Sequence, residues 1–81
     1  MSSSVFDSFQ LDKNLGLAEI LPEPDWVGKT LRQLDLRKKH EINVVAIKKP
    51  DGSWQNPRPD QKLQADEKLL VIATQEQLKT M

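Results

Sequence analysis

The feature that constrains this chain most is a β-branched run, Asn43-Val44-Val45-Ala46-Ile47, which leads into Lys48-Lys49-Pro50-Asp51-Gly52-Ser53-Trp54. Valine and isoleucine favour an extended backbone, and an almost wholly apolar run predicts a buried central strand. Proline fixes φ, aspartate hydrogen-bonds nearby backbone, and glycine supplies positive φ. Pro50-Asp51-Gly52 therefore turns the chain back as a hairpin. Lys68-Leu69-Leu70-Val71-Ile72-Ala73 predicts another strand. A sheet is implied before any helix is considered.

The 81 residues suffice for one small domain with a modest core, which excludes barrel enzymes. With no cysteine there is no disulfide, thiolate metal site or cysteine nucleophile, and a reducing compartment is expected. A single histidine rules out any site built on several imidazoles. No apolar run approaches the length of a membrane span, and the serine-led start lacks a signal peptide's hydrophobic region.

Residues 1–14 show little periodicity and are expected to be an N-terminal arm or linker. Val5, Phe6, Phe9 and Leu11 suit a short extended arm or packing on a partner chain. Leu15 to Leu21 alternates as a strand, stopped by Pro22 and Pro24. Asp25-Trp26-Val27-Gly28 is a turn. Thr30 then caps a short amphipathic helix marked by Leu31, Leu34 and Leu36. That helix is expected to break or tighten near Asp35, with another helical turn from Arg37 to Glu41. Asn56-Pro57-Arg58-Pro59-Asp60 is an irregular connection, and Thr74 caps a final helix through Leu78. The expected compact part is 15–81, a small α+β domain ordered β-α-β-β-β-α.

Charge is balanced overall but not evenly spread. Residues 1–28 carry five acids against one base, whereas residues 29–49 carry seven bases against Asp35 and Glu41. A net charge of zero argues against nucleic acid as a partner, which needs a broad basic surface. The local basic excess leaves room for one small anionic ligand, or is simply a solvated helix face.

Several chemistries can be set aside. Gly28-Lys29-Thr30 lacks the upstream glycine of a phosphate loop, because position 23 is Glu. No metal site is expected: His40 stands alone, and Asp35 and Glu41 are separated by Arg37, Lys38 and Lys39. Asp66-Glu67 suits an exposed acidic turn. No nucleophile and base are paired, so the chain is expected to be a binding or interaction module and not an enzyme.

One constellation remains. Asp35, Arg37 and Asn43 place an acid, a guanidinium and a carboxamide around a helix-to-strand junction. Arginine can grip a phosphate with two hydrogen bonds, and Asn or Asp can pair with an adenine edge. Leu31, Val44 and Pro59 could wall a purine. The plainer alternative, which spacing alone favours, is that Asp35 caps or pairs with Arg37 while Asn43 finishes a turn.

The ordered series Leu17-Ala18-Glu19-Ile20, Trp26-Val27-Gly28-Lys29-Thr30-Leu31, Leu34-Asp35-Leu36-Arg37 and Ile42 to Lys49 resembles the RCK_C (TrkA C-terminal) domain. The resemblance runs on through Pro57, Pro59, Asp60, Leu63, Asp66 and Leu69 to Ala73. It implies a cytoplasmic, ligand-sensing regulatory domain of a bacterial potassium channel, transporter or cation antiporter, working as a two-fold homodimer. A subset of that family binds cyclic di-AMP through a pattern of aliphatic pair, Asp, Arg, Asn and aliphatic pair. Here that pattern falls on Leu31, Arg32, Asp35, Arg37, Asn43, Val44 and Val45. Arg32 occupies an aliphatic position, where a guanidinium can stack on a purine. The resemblance therefore implies a nucleotide ligand held by Leu31, Arg32, Asp35, Arg37, Asn43 and Val44, and Pro59 is expected to add an apolar wall to that site. The rivals are a ligand-free dimerisation module or a cation-sensing domain.

Overall fold

The computed structural model describes residues 5–80. Five strands form one sheet: β1 (Val5–Gln10), β2 (Leu15–Ile20), β3 (Ile42–Lys48), β4 (Trp54–Gln55) and β5 (Lys68–Thr74). Their spatial order is β1-β2-β5-β3-β4, with every neighbouring pair antiparallel. A 3-10 turn (Pro24–Trp26) and two short helices, α1 (Leu31–Leu34) and α2 (Leu36–Lys39), connect β2 to β3, and α3 (Gln75–Thr80) ends the described chain. The α+β class stands, with one strand more than expected; the first helix breaks at Asp35 as the sequence predicts.

The extra strand comes from the segment set apart as an arm. β1 lies against β2, with Ser8 opposite Ala18 and Phe9 opposite Leu17. Asp12 closes the turn between them, its carboxylate accepting the N–H groups of Asn14 (2.7 Å) and Leu15 (2.9 Å). Those two bonds, the Asn14 one foremost, hold the Asp12 carboxyl below the usual carboxylate range.

β3 is not the central strand; β5 is, hydrogen-bonded to β2 on one side and β3 on the other. Nor is β3 buried along its length, since Asn43 and Val45 are exposed. The cause is a bulge: Val44 pairs with Val71, Ala46 pairs with Leu70, and Val45 is the extra residue. Ile42 and Ile47 lie an odd number of positions apart, so a regular strand would send them to opposite faces. The bulge resets the phase, and both become fully buried. β5 needs no such device, and Leu69, Val71 and Ala73 alternate into the core.

The core joins those side chains to Ala18 and Ile20 of β2 and to Trp26, Leu36 and Leu63 from the connections. At Gly16 a Cβ would lie 2.7 Å from Leu78 Cδ1, so a larger residue there would make the Leu78 side chain of α3 shift. Thr74 caps α3 as expected, its hydroxyl accepting the Gln77 N–H at 3.1 Å.

One acid was misplaced by the sequence. Asp66 is exposed, but Glu67 is 1% exposed and sits inside the fold. Burying a carboxylate requires partners. Glu67 Oε1 accepts the Gln64 N–H at 3.0 Å, while Oε2 pairs with the Lys49 ammonium. The pair ties the β3–β4 hairpin to the turn before β5. The hairpin itself forms as the sequence predicts: Lys49 N–H donates to the Ser53 carbonyl at 2.8 Å, and Gly52 adopts φ +91°.

Candidate ligand-binding site

The site begins with a helix that cannot continue. Thr30 Oγ1 accepts the Gln33 N–H at 3.1 Å and Gln33 Oε1 accepts the Thr30 N–H at 2.9 Å, a reciprocal cap that starts α1. Asp35 then adopts a left-handed conformation, φ 47° and ψ 53°. Aspartate tolerates that region better than most residues with a Cβ. Its N–H closes α1 on the Leu31 carbonyl at 3.0 Å, and its own carbonyl opens α2 by accepting from Lys38 (3.2 Å) and Lys39 (3.0 Å). One residue ends one helix and begins the next. Leu36 is buried and anchors α2, and Glu41, also left-handed at φ 56°, turns the chain into β3. Asp35 and Arg37 are thereby brought beside Asn43.

The opposite wall is the 57–63 segment. It is stitched to the start of α1 by Gly28 N–H to Leu63 carbonyl (2.8 Å), Leu63 N–H to Lys29 carbonyl (2.9 Å) and Arg32 N–H to Pro59 carbonyl (3.0 Å). β4 pairs only with Ile47 and Lys48, so the outer edge of β3 before those residues is left unpaired by β4. A concavity of about 400 Å³ opens at this edge. That volume lies within the range of roughly 300–1,000 Å³ common to small-molecule sites.

All seven residues chosen from the sequence border this concavity: Leu31, Arg32, Asp35, Arg37, Asn43, Val44 and Pro59. Leu36, Ile42 and Pro57 also line it and were missed. Each carries a faint signal: Leu36 lies between Asp35 and Arg37, Ile42 precedes Asn43, and Pro57 repeats Pro59 at a spacing of two.

The plainer alternative does not describe this geometry. Asp35 makes no side-chain cap on α2, and among the described residues no ion pair within 4.0 Å joins it to Arg37. Asn43 lies within β3 and not in a turn. Among the described residues the only hydrogen bonds or ion pairs at this lining belong to backbone groups and to Arg32, whose guanidinium lies 3.4 Å from Asp60. The half-buried Asp35, exposed Arg37 and exposed Asn43 thus offer their polar groups to whatever enters. Chemically the arrangement suits an anionic head on a flat, partly apolar body. Among the described residues no three His, Cys, Asp or Glu side chains converge as metal ligands, and no helix is long and apolar enough to cross a membrane.

The fold and concavity define a class first: a small α+β domain with a helix-broken connection and a largely apolar recess bearing two arginines at a sheet edge. The chain belongs to the TrkA-C domain family, which it matches over residues 16–81. It is 32% identical over 74 residues to Ktr system potassium uptake protein C of Bacillus subtilis (strain 168), an alignment covering 91% of this chain and 34% of that protein. The chain thus spans about a third of the length of that curated relative. The crystal structure of the GsuK RCK domain shares the fold, with a TM-score of 0.74 at 22% identity over 94% of this chain and 17% of that one. The GsuK channel bound to NAD gives a TM-score of 0.70 at 31% identity, covering 82% of this chain and 12% of the channel chain.

Proposed function

We propose that this chain is a non-enzymatic regulatory domain of a bacterial potassium channel, transporter or cation antiporter, acting at the cytoplasmic face. Its ligand in this reading is cyclic di-AMP, bound between two copies of the chain. The observation that carries the reading is the convergence of Asp35, Arg37 and Asn43, without partners among themselves, on a recess of about 400 Å³ with apolar walls. Family membership supports the transport setting, as does a relative whose name is that of a potassium uptake protein. A nucleotide is also bound in a channel structure that this chain resembles at 31% identity, although there it is NAD.

The roles follow from the chemistry. Arg37 forms charge-assisted hydrogen bonds to a phosphate. Asn43 and Asp35 orient that group and the adenine, whose amino group donates and whose ring nitrogens accept. Leu31, Val44 and Pro59 flank the base. A two-fold ligand on a two-fold axis meets these residues twice, and binding one arrangement of the dimer more tightly than another shifts the population towards it. Exposed Val45 (40%), next to Asn43 and Val44 on β3, provides apolar surface beside the recess for association of two chains.

Calorimetry with cyclic di-AMP tests the reading, with NAD and cyclic di-GMP as comparisons. It expects one cyclic di-AMP per two chains and preference over both comparisons, and absence of cyclic di-AMP binding overturns it. Light scattering at micromolar concentration expects about twice the 9.3 kDa chain mass. A dimer that binds no nucleotide would instead establish the ligand-free module.

A further inference from the structure

Arg32 stands where the ligand pattern has an aliphatic side chain, and the structure gives it a place of its own. Its backbone N–H donates to the Pro59 carbonyl at 3.0 Å, which fixes its Cα at the seam between α1 and the opposite wall. Its guanidinium reaches Asp60 Oδ1 at 3.4 Å, with side-chain exposures of 69% and 79%. Asp60 does not border the recess; it belongs to the adjoining groove that shares Pro59 with it. Arg32 is therefore a largely exposed cation of the lining whose counter-ion, Asp60, is not part of that lining.

We propose that Arg32 is a specificity-determining phosphate contact at the mouth of the recess, and that Asp60 is the counter-ion it releases when a phosphorylated ligand enters. This rests on the nucleotide-binding reading above. A single exposed ion pair contributes little in water, so exchanging it for a ligand oxygen costs little. The arginine stem is flexible, and a guanidinium binds phosphate better than it binds a solvated carboxylate at that distance. The side chains on the lining bear Arg32 and Arg37 against Asp35 alone, so the charge at the mouth favours an anion. An aliphatic side chain could only wall the base; Arg32 adds charge where the ligand enters.

The decisive property is sign. Removing Arg32 weakens binding, whereas removing Asp60 strengthens it. Calorimetry with cyclic di-AMP on the whole chain and its variants reads this directly. Arg32→Leu and Arg32→Gln should each lose about tenfold, since a solvent-exposed and therefore weak net contact disappears from each of the two chains. Arg32→Lys should lose less than either, because the ammonium keeps the charge at the mouth while giving up the guanidinium fork. Asp60→Asn should bind about threefold more tightly, and the gap between wild type and Arg32→Leu should narrow at high salt. Melting temperatures should stay within a few degrees, since both side chains are exposed. If the pair merely braces the wall, Arg32→Leu and Asp60→Asn weaken binding together, and the proposal fails. Equal losses in Arg32→Leu and Arg32→Lys would mean that the charge contributes nothing to binding and also overturn it. Unchanged affinity in Arg32→Leu refutes the Arg32 role while leaving the Arg37 site intact; a wild-type chain that binds no cyclic di-AMP removes both.

Discussion

Two clusters of charged side chains lie at opposite ends of β3, and they are finished to different degrees. At the hairpin end, Glu67 is buried and both its oxygens are occupied, by the Lys49 ammonium and the Gln64 N–H. Nearby, Asp51 accepts both the N–H (2.8 Å) and the hydroxyl (2.7 Å) of Ser53. At the recess end, Asp35, Arg37 and Asn43 converge on a cavity without such bonds. Polar groups that a fold needs for itself are satisfied internally, because leaving them unmade costs stability. Among the described residues, the side-chain polar groups of Asp35, Arg37 and Asn43 make no hydrogen bond or ion pair within the fold and face the recess and solvent. The difference separates residues that hold the domain together from residues available to a ligand.

The sharpest way to break this comparison is to exchange the expected losses. Glu67→Ala should cost about 2–4 kcal/mol, because it strands the Lys49 ammonium and leaves the Gln64 N–H without its acceptor. In a domain this small that corresponds to a melting temperature lower by roughly 10–25 °C. Cyclic di-AMP affinity, measured well below the new melting temperature, should change little. A large loss of affinity at unchanged stability would invert the assignment of the two clusters.

Arg37→Ala should show the opposite pattern. Charge-assisted hydrogen bonds contribute about 1.5–3 kcal/mol each, and a two-fold site loses two sets at once. Affinity should fall at least about a hundredfold with a change of no more than a few degrees in melting temperature. Arg37→Lys should recover part of the loss, since a point charge cannot reproduce the paired N–H fork. Asn43→Ala should weaken binding about tenfold, because a neutral amide supplies weaker bonds than a guanidinium. Binding that is unchanged in Arg37→Ala would place the ligand elsewhere.

How much of this is legible in the sequence depends on whether local or long-range physics decides it. The Thr30 cap, the break at Asp35, the Pro50-Asp51-Gly52 turn and the Thr74 cap are all local, and side-chain chemistry states them in order. The seven lining residues were visible as a pattern, although only the fold could show that Asp35 leaves its neighbour Arg37 unpaired. Three features were hidden. The place of β5 at the sheet centre depends on pairing with strands far away in sequence, so the more β-branched run took that role in the sequence reading. The bulge at Val45 has no proline or glycine to announce it. Glu67 looked like half of a solvated acidic pair because its cationic partner lies eighteen positions earlier.

The smallest expected effect tests the satisfied side of the comparison by pH. Asp12 and Asp51 close the turns at the two hairpins, and hydrogen bonds hold both carboxyls below their usual value: chiefly the Asn14 N–H for Asp12, and the Ser53 hydroxyl for Asp51. A carboxyl whose folded pKa is depressed stabilises the fold fully above its unfolded value, near 3.9, and loses that contribution as pH falls through the folded value. Melting temperature should therefore decline as the solution is taken from about pH 5 towards pH 2. In Asp12→Asn the side chain cannot gain that proton, so the gap to wild type should be widest at the upper end and close towards the lower. Asp51→Asn should behave alike, and the double variant should add the two effects, because the turns share no partner. Neither substitution touches the recess, so cyclic di-AMP affinity at neutral pH should remain that of the wild type. A gap that stays constant across the range would mean that these carboxylates act through shape alone, and the hydrogen-bonded turns would then contribute nothing that ionisation can remove.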